Sequence, residues 1–252
     1  MAHPGTSALS SPAGFEQAYD ALREMRGSSG RTLLHISQLE EVSPGLAAKL
    51  SERVNFNVPR TARDALACFF SHATSRFIAG MLGLTVVARC FLGPPTAVDA
   101  IVAIATAIGW CFQEHLIHEK LLHSSEPWFG SDIHRWHHAL PYYHVSLDGV
   151  GLAACWFAAV GAMAIALGHA CAAPAPALTG LAVYTLFGGV YEAAHYIAHT
   201  RVPLPRGLNN VRAHHMKHHL VDNAYWFAFT LPAIDRILGT DGNARDASSK
   251  GS

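Results

Sequence analysis

Residues 100–123 read AIVAIATAIGWCFQEHLIHEKLLH, an apolar run that turns into histidine within a few residues of Gln113. Roughly 20 apolar residues of helix cross a hydrocarbon core. A helix that leaves the bilayer carrying His118 and His123 therefore sets imidazoles at one membrane face. The rest of the chain is read outward from that junction.

Four apolar stretches of spanning length are visible, at about Leu66 to Leu92, Thr96 to Leu116, Gly149 to Ala172 and Ala177 to Ile197. The turn GPP joins the first two and CAAPAPA joins the last two, so the spans pair as hairpins. Composition agrees: 50% of residues are hydrophobic, 14% are charged and mean hydropathy is +0.19. A soluble domain carries roughly a quarter of its residues charged. The expected fold is all-α and integral to the membrane, with four transmembrane helices as two hairpins and a cytosolic helical cap bearing the histidines. Residues 1–63 read as a cytosolic or interfacial N-terminal region with short helices at about Phe15 to Met25 and Ser37 to Val54. Residues 64–240 form the membrane domain and 241–252 a flexible tail. The N-terminus has no apolar run after a charged start, so it does not read as a cleaved secretory signal.

Charge gives the orientation. Lys120 and Arg135 lie between the hairpins, and Arg201, Arg206, Arg212, Lys217, Arg236, Arg245 and Lys250 follow the second, while neither tight turn carries Lys or Arg. The positive-inside rule then places both termini and the middle segment in the cytoplasm. Net charge is +0, which removes the basic field that nucleic-acid binding needs. The five cysteines (Cys68, Cys90, Cys111, Cys155, Cys171) are scattered without a CxxC pair and read as buried thiols.

Histidine is the anomaly, at 17 residues against 18 Lys and Arg. HLIHEKLLH, HRWHH, HYIAH and HHMKHH reduce to HxxxxH (His118, His123), HxxHH (His134, His137, His138), HxxxH (His195, His199) and HxxHH (His215, His218, His219). Residues three or four apart share a helix face. The five-residue gap from His118 to His123 instead needs a helix end or bend near Lys120, where the second span is expected to stop. A lone HxxxH is as readily a pair of ordinary polar residues. Four such boxes in order, all on one side of the membrane, offer more nitrogens than one metal takes, and two metals are the economical answer. Imidazole suits Fe, Zn, Cu and Ni, so ligand type alone does not choose the ion. A span count of three or five would split the boxes across the bilayer.

The ordered boxes and the ending HHLVDNAYWFAFTLPAIDRILGT resemble the fatty acid hydroxylase superfamily of membrane di-iron, histidine-box enzymes over about Gln113 to Thr240. The pattern is closest to fatty acid 2-hydroxylases and sterol desaturase-like proteins. That resemblance implies two Fe ions held by the ten histidines named above, replaceable by Zn on purification, with O2 as co-substrate. It implies hydroxylation of a C–H bond in a fatty acyl or other lipid-like substrate, with electrons from a separate electron-transfer protein. Desaturation or carotenoid-type ring hydroxylation is the alternative within the superfamily. A histidine-rich membrane metal transporter is the remoter one, and it would place ligands near the bilayer midplane. The expected location is a bacterial inner membrane, with the site on its cytoplasmic side.

Metal-bound imidazoles pass their second N–H to an acceptor. Glu192, one turn before His195, is the first candidate; Glu114, Glu119, Asp132, Asp222 and Asp235 follow. His115, His144 and His214 are further outer partners, and His72 either lines the cavity or makes helix contacts. Tyr191 and Trp226 are the expected substrate contacts, among aromatics (Trp110, Trp136, Tyr142, Tyr143, Tyr196, Tyr225) that otherwise form an interfacial belt.

Overall fold

A computed structural model describes residues 59–126, 128, 130, 131, 134, 137, 138 and 149–242. The expected N-terminal helices near Phe15 and Ser37, together with Asp132, Trp136, Tyr142, Tyr143 and His144, lie outside the described residues. The described chain is all-helical: α1 (Ala62–Ser71), α2 (Ala73–Cys90), α3 (Ala97–Leu116), a π-helical turn (Ile117–Leu122), α4 (Val150–Ala170), α5 (Pro174–Ala198), α6 (Arg206–Leu220) and α7 (Ala233–Leu238).

Two helical stretches, Ala97–Leu122 and Val150–Ala170, are long and apolar enough to cross a membrane, and a third joins them if α1 and α2 count as one broken span. Their outer faces show Leu84, Ile101, Ile104, Ile108, Met163 and Ile165 to the surroundings, as lipid contact requires. The expected single span from Leu66 to Leu92 is not straight. α1 and α2 meet at 83°. His72 adopts extended backbone there, and the Arg76 guanidinium takes the carbonyls of Phe70 and Ser71 that the interrupted helix leaves over. Short polar side chains in SHATS compete with the helix ladder, which is why the break falls here.

α5 is the central element, packed against α2, α3, α4 and α6. Close approach to α3 depends on Gly180, where a Cβ would stand 3.2 Å from Val102 Cγ1. Small residues at such crossings let backbones come together where apolar burial gives no net attraction. The turn between α2 and α3 is pinned to the start of α5 by a buried network. Arg89 donates from Nε and Nη2 to Asp99 Oδ1 at 3.0 and 2.8 Å, and Thr179 donates to the same oxygen at 2.6 Å. Asp99 also closes a capping box with Thr96 at the start of α3. At the opposite end of the bundle, α3 and α5 deliver their histidines, and α6 and α7 pack across them.

Candidate metal centre

The first box is set by the π-turn. α3 does not stop at Lys120: it widens into Ile117–Leu122, and the amide of His123 donates to the His118 carbonyl at 3.2 Å, an i to i+5 bond. Wider winding puts residues five apart on one face, which ordinary α-helix does not do. The remaining boxes use i, i+4 pairs: His195 with His199 at the end of α5, and His215 with His219 on α6. His134 and His138 have the same spacing.

All ten histidines converge, and they sort into two groups of five. His118, His123, His134, His138 and His218 form group A; His137, His195, His199, His215 and His219 form group B. Each HxxHH box is divided between the groups. Its outer pair serves one group while its middle histidine, His137 or His218, serves the other. His138 stacks on His219 with ring centroids 4.2 Å apart, so the groups are neighbours.

In group A the Nε2 atoms of His134, His123, His218 and His138 close a ring with sides of 3.0, 3.0, 3.1 and 3.0 Å. His118 Nε2 stands 3.1 Å from His134 Nε2. In group B, His195 approaches His137 at 2.9 Å, while His199 and His219 approach His215 at 2.8 and 3.0 Å. An imidazole nitrogen lies about 2.0–2.1 Å from a bound zinc-like metal, so two ligands at right angles stand about 3 Å apart. The observed spacings match that value.

The protonation pattern agrees. His118 Nδ1 donates to the Phe227 carbonyl and His218 Nδ1 to the Tyr225 carbonyl, both at 2.6 Å. A neutral ring with its proton on Nδ1 has a bare lone pair on Nε2. Both lone pairs therefore face the centre of group A, where a cation would take them. Burial, and after it the neighbouring imidazoles, holds His134, His137, His138, His215, His218 and His219 well below the ordinary histidine range. The same causes push His123 down to about 3. These rings stay neutral, the form that binds metal.

The expected outer partners fall in different places. Glu192 is buried one turn from His195 and lines a cavity of about 160 Å³ between α2, α3, α4 and α5. Glu114 lines the same cavity one turn from His118, and its Oε1 accepts from the Thr230 amide at 2.9 Å. The cavity is otherwise mostly apolar, walled by Phe77, Trp110, Trp156, Phe157 and the expected substrate contact Tyr191. Trp226 is not among its walls. That indole lies beneath α6, where Nε1 donates to Asp241 Oδ1 at 3.1 Å and the Lys217 ammonium sits 5.7 Å over the ring. His72 is the break between α1 and α2 and does not line the cavity. Glu119 pairs with Lys120 at 2.7 Å, and exposed Asp222 accepts from the Ala224 amide.

His115 and His214 both turn to Asp235. His214 Nε2 donates to Asp235 Oδ2 at 2.8 Å; His115 Nε2 donates to Thr240 Oγ1 at 2.7 Å, and Thr240 donates to Asp235 Oδ1 at 2.7 Å. Burial alone would raise the Asp235 carboxyl, but bonds from His115, His214 and Thr240 outweigh it and hold it below its usual range. The carbonyl acceptors at Tyr225 and Phe227 and the hydroxyl of Thr240 had no sequence signal, because any residue supplies a carbonyl and threonine is common.

Comparison with known proteins is consistent with this picture. No curated protein sequence matches the chain. Among solved structures, one described as full-length Scs7p with only its hydroxylase domain visible superposes with a TM-score of 0.51 at 17% identity. The match covers 74% of this chain and 70% of that one, a likeness of fold. The sequence model of the fatty acid hydroxylase family matches residues 103–240, more than half of the chain and every one of the ten converging histidines. Taken with apolar helices that fit a membrane protein and imidazole groups that fit a metal site, this match places the chain in the fatty acid hydroxylase family, whose membership implies hydroxylation of a lipid.

Proposed function

We propose that the chain is a membrane di-iron hydroxylase that uses O2 and electrons from a separate electron-transfer protein to oxidise a C–H bond of a fatty acyl or similar lipid. The observation that carries this reading is the pairing of two five-imidazole groups with an apolar cavity whose walls include Glu114 and Glu192, one turn from His118 and His195. Iron ions in the two groups would supply dioxygen activation, which is the cofactor's chemistry. The protein's part is to bind, aim and keep dry. Phe77, Trp110, Trp156 and Phe157 bury an alkyl chain and exclude water, and Tyr191 borders the chain near His195. Glu192, His115 and His214 act behind the ligand shell, balancing charge and holding neighbours in place.

The topology we propose has four crossings, counting α1 with α2 as a broken first span and α5 as the fourth, with the histidines on the cytoplasmic side. The lack of Lys and Arg in both tight turns supports that sidedness.

Two measurements test the function. Anaerobically loaded full-length protein should hold two metals per chain, and membranes of expressing cells should accumulate a hydroxylated lipid. One metal at saturation would sink the dinuclear reading. A new double bond without hydroxylated product would turn the assignment to a desaturase.

A further inference from the structure

The segment 225–230 lies between α6 and α7 and packs Phe227 on His118, His123 and His218 and Phe229 on His195 and His215, and its shape is unusual. Trp226 adopts φ +60°, a left-handed conformation that a side-chain-bearing residue rarely takes. Such backbone persists only where the surroundings over-determine it. Those surroundings are specific. The Trp226 amide donates to the Thr240 carbonyl at 2.9 Å. The next two amides donate to one carboxylate, Phe227 N to Asp235 Oδ1 at 3.0 Å and Ala228 N to Asp235 Oδ2 at 2.9 Å. Asp235 is fully buried, and it also accepts from His214 and Thr240.

The consequence is carried by the carbonyls on either side of the strained residue. Those of Tyr225 and Phe227 accept the Nδ1 protons of His218 and His118, two of the five rings of group A. A carbonyl at that position selects the tautomer and fixes the ring plane, so each Nε2 lone pair points inward. The same segment meets group B through packing: the Phe229 ring lies 5.0 and 4.6 Å from those of His195 and His215.

We propose that Asp235 is the positioning residue of group A. By clamping the amides of Phe227 and Ala228, it aims His118 and His218, and it does so for one of the two metal positions. This rests on the dinuclear reading above and adds an asymmetry to it: the clamped segment aims two group A rings by hydrogen bonds, whereas it meets group B through the packing of Phe229.

The test uses full-length protein in detergent, loaded anaerobically, with metal counted per chain and extraction by a chelator followed in time. Asp235→Asn keeps the shape but presents a donor where amides and His214 also donate. It should weaken one metal equivalent by about 10- to 100-fold, the usual cost of losing an outer-shell partner, and affect the other distinctly less. Adding His219→Ala to Asp235→Asn should then leave only the weakened equivalent, while adding His138→Ala should remove the weakened equivalent and leave the tight one. Should Asp235→Asn fail to fold, Thr240→Val deletes a single bond to the carboxylate and should speed extraction of the same equivalent, with Thr240→Ser restoring it. Two equally tight metals in the folded variants, or parallel weakening of both, would overturn the proposal. Fewer than two metals in the unaltered chain would overturn the dinuclear reading, and this proposal with it.

Discussion

Groups A and B are both built from five imidazoles, but different parts of the chain hold them. In group B, four of the five rings come as i, i+4 pairs from the end of α5 and from α6, so helix periodicity brings them to one face. In group A the first pair needs a π-turn to bring His118 and His123 together, and two rings are steered by carbonyls of a strained loop. His215 and His219 of group B have no hydrogen-bond partner on Nδ1 among the described residues. Equal donor sets can therefore be unequal sites. One is brought together mainly by α-helical periodicity, and the other adds a π-turn and two loop carbonyls.

The largest test of that difference removes one ligand from each group. His138→Ala should empty group A and spare group B, His219→Ala should do the reverse, and either should cut hydroxylated product by at least about 100-fold, since losing a ligand exceeds losing its support. Metal counts on each variant check it; joint loss from one substitution would merge the two groups into a single cooperative site.

A second test attacks the wedge between them. Phe229 is 1% exposed and packs on His195 and His215 with centroids 5.0 and 4.6 Å away, but lies 6.2 Å from His118. Phe229→Ala should cost about 3–5 kcal/mol of stability by opening a cavity. Thermal unfolding of the loaded protein measures the cost, and chelator extraction should show group B loosened more than group A, opposite to the effect of Asp235→Asn.

The smallest test reaches group A through packing. A Cβ on Gly242 would stand 2.5 Å from Trp226 Cζ2, so Gly242→Ala must displace the indole and disturb the loop. Overpacking of this kind costs about 1–3 kcal/mol. The expected result is faster release of the group A metal with group B unchanged, read by the same extraction assay.

Much of this was legible beforehand. Apolar runs interrupted by GPP and CAAPAPA placed the helices from α3 to α5 to within a few residues, and the box order named all ten converging rings. The misses have physical causes. The 83° break at His72 comes from short polar side chains and Arg76 competing for helix carbonyls, a contest that hydropathy does not register. The second span does end near Lys120, at Leu122, but its last turn is π-helical, a winding that spacing alone does not distinguish from a bend. Trp226 lies in the loop between α6 and α7 and not in the wall of the apolar cavity, since a bulky aromatic in sequence carries no mark of which side of a loop it faces.

The amino-acid sequence by itself determined most of the apolar helices and the set of histidines, because hydrophobic period and box spacing are local properties that survive in one dimension. Only the tertiary structure decided which five rings meet at each centre and how two of them are aimed. Those outcomes depend on contacts between residues a hundred positions apart, such as His118 with the Phe227 carbonyl, and on backbone groups that every residue carries alike.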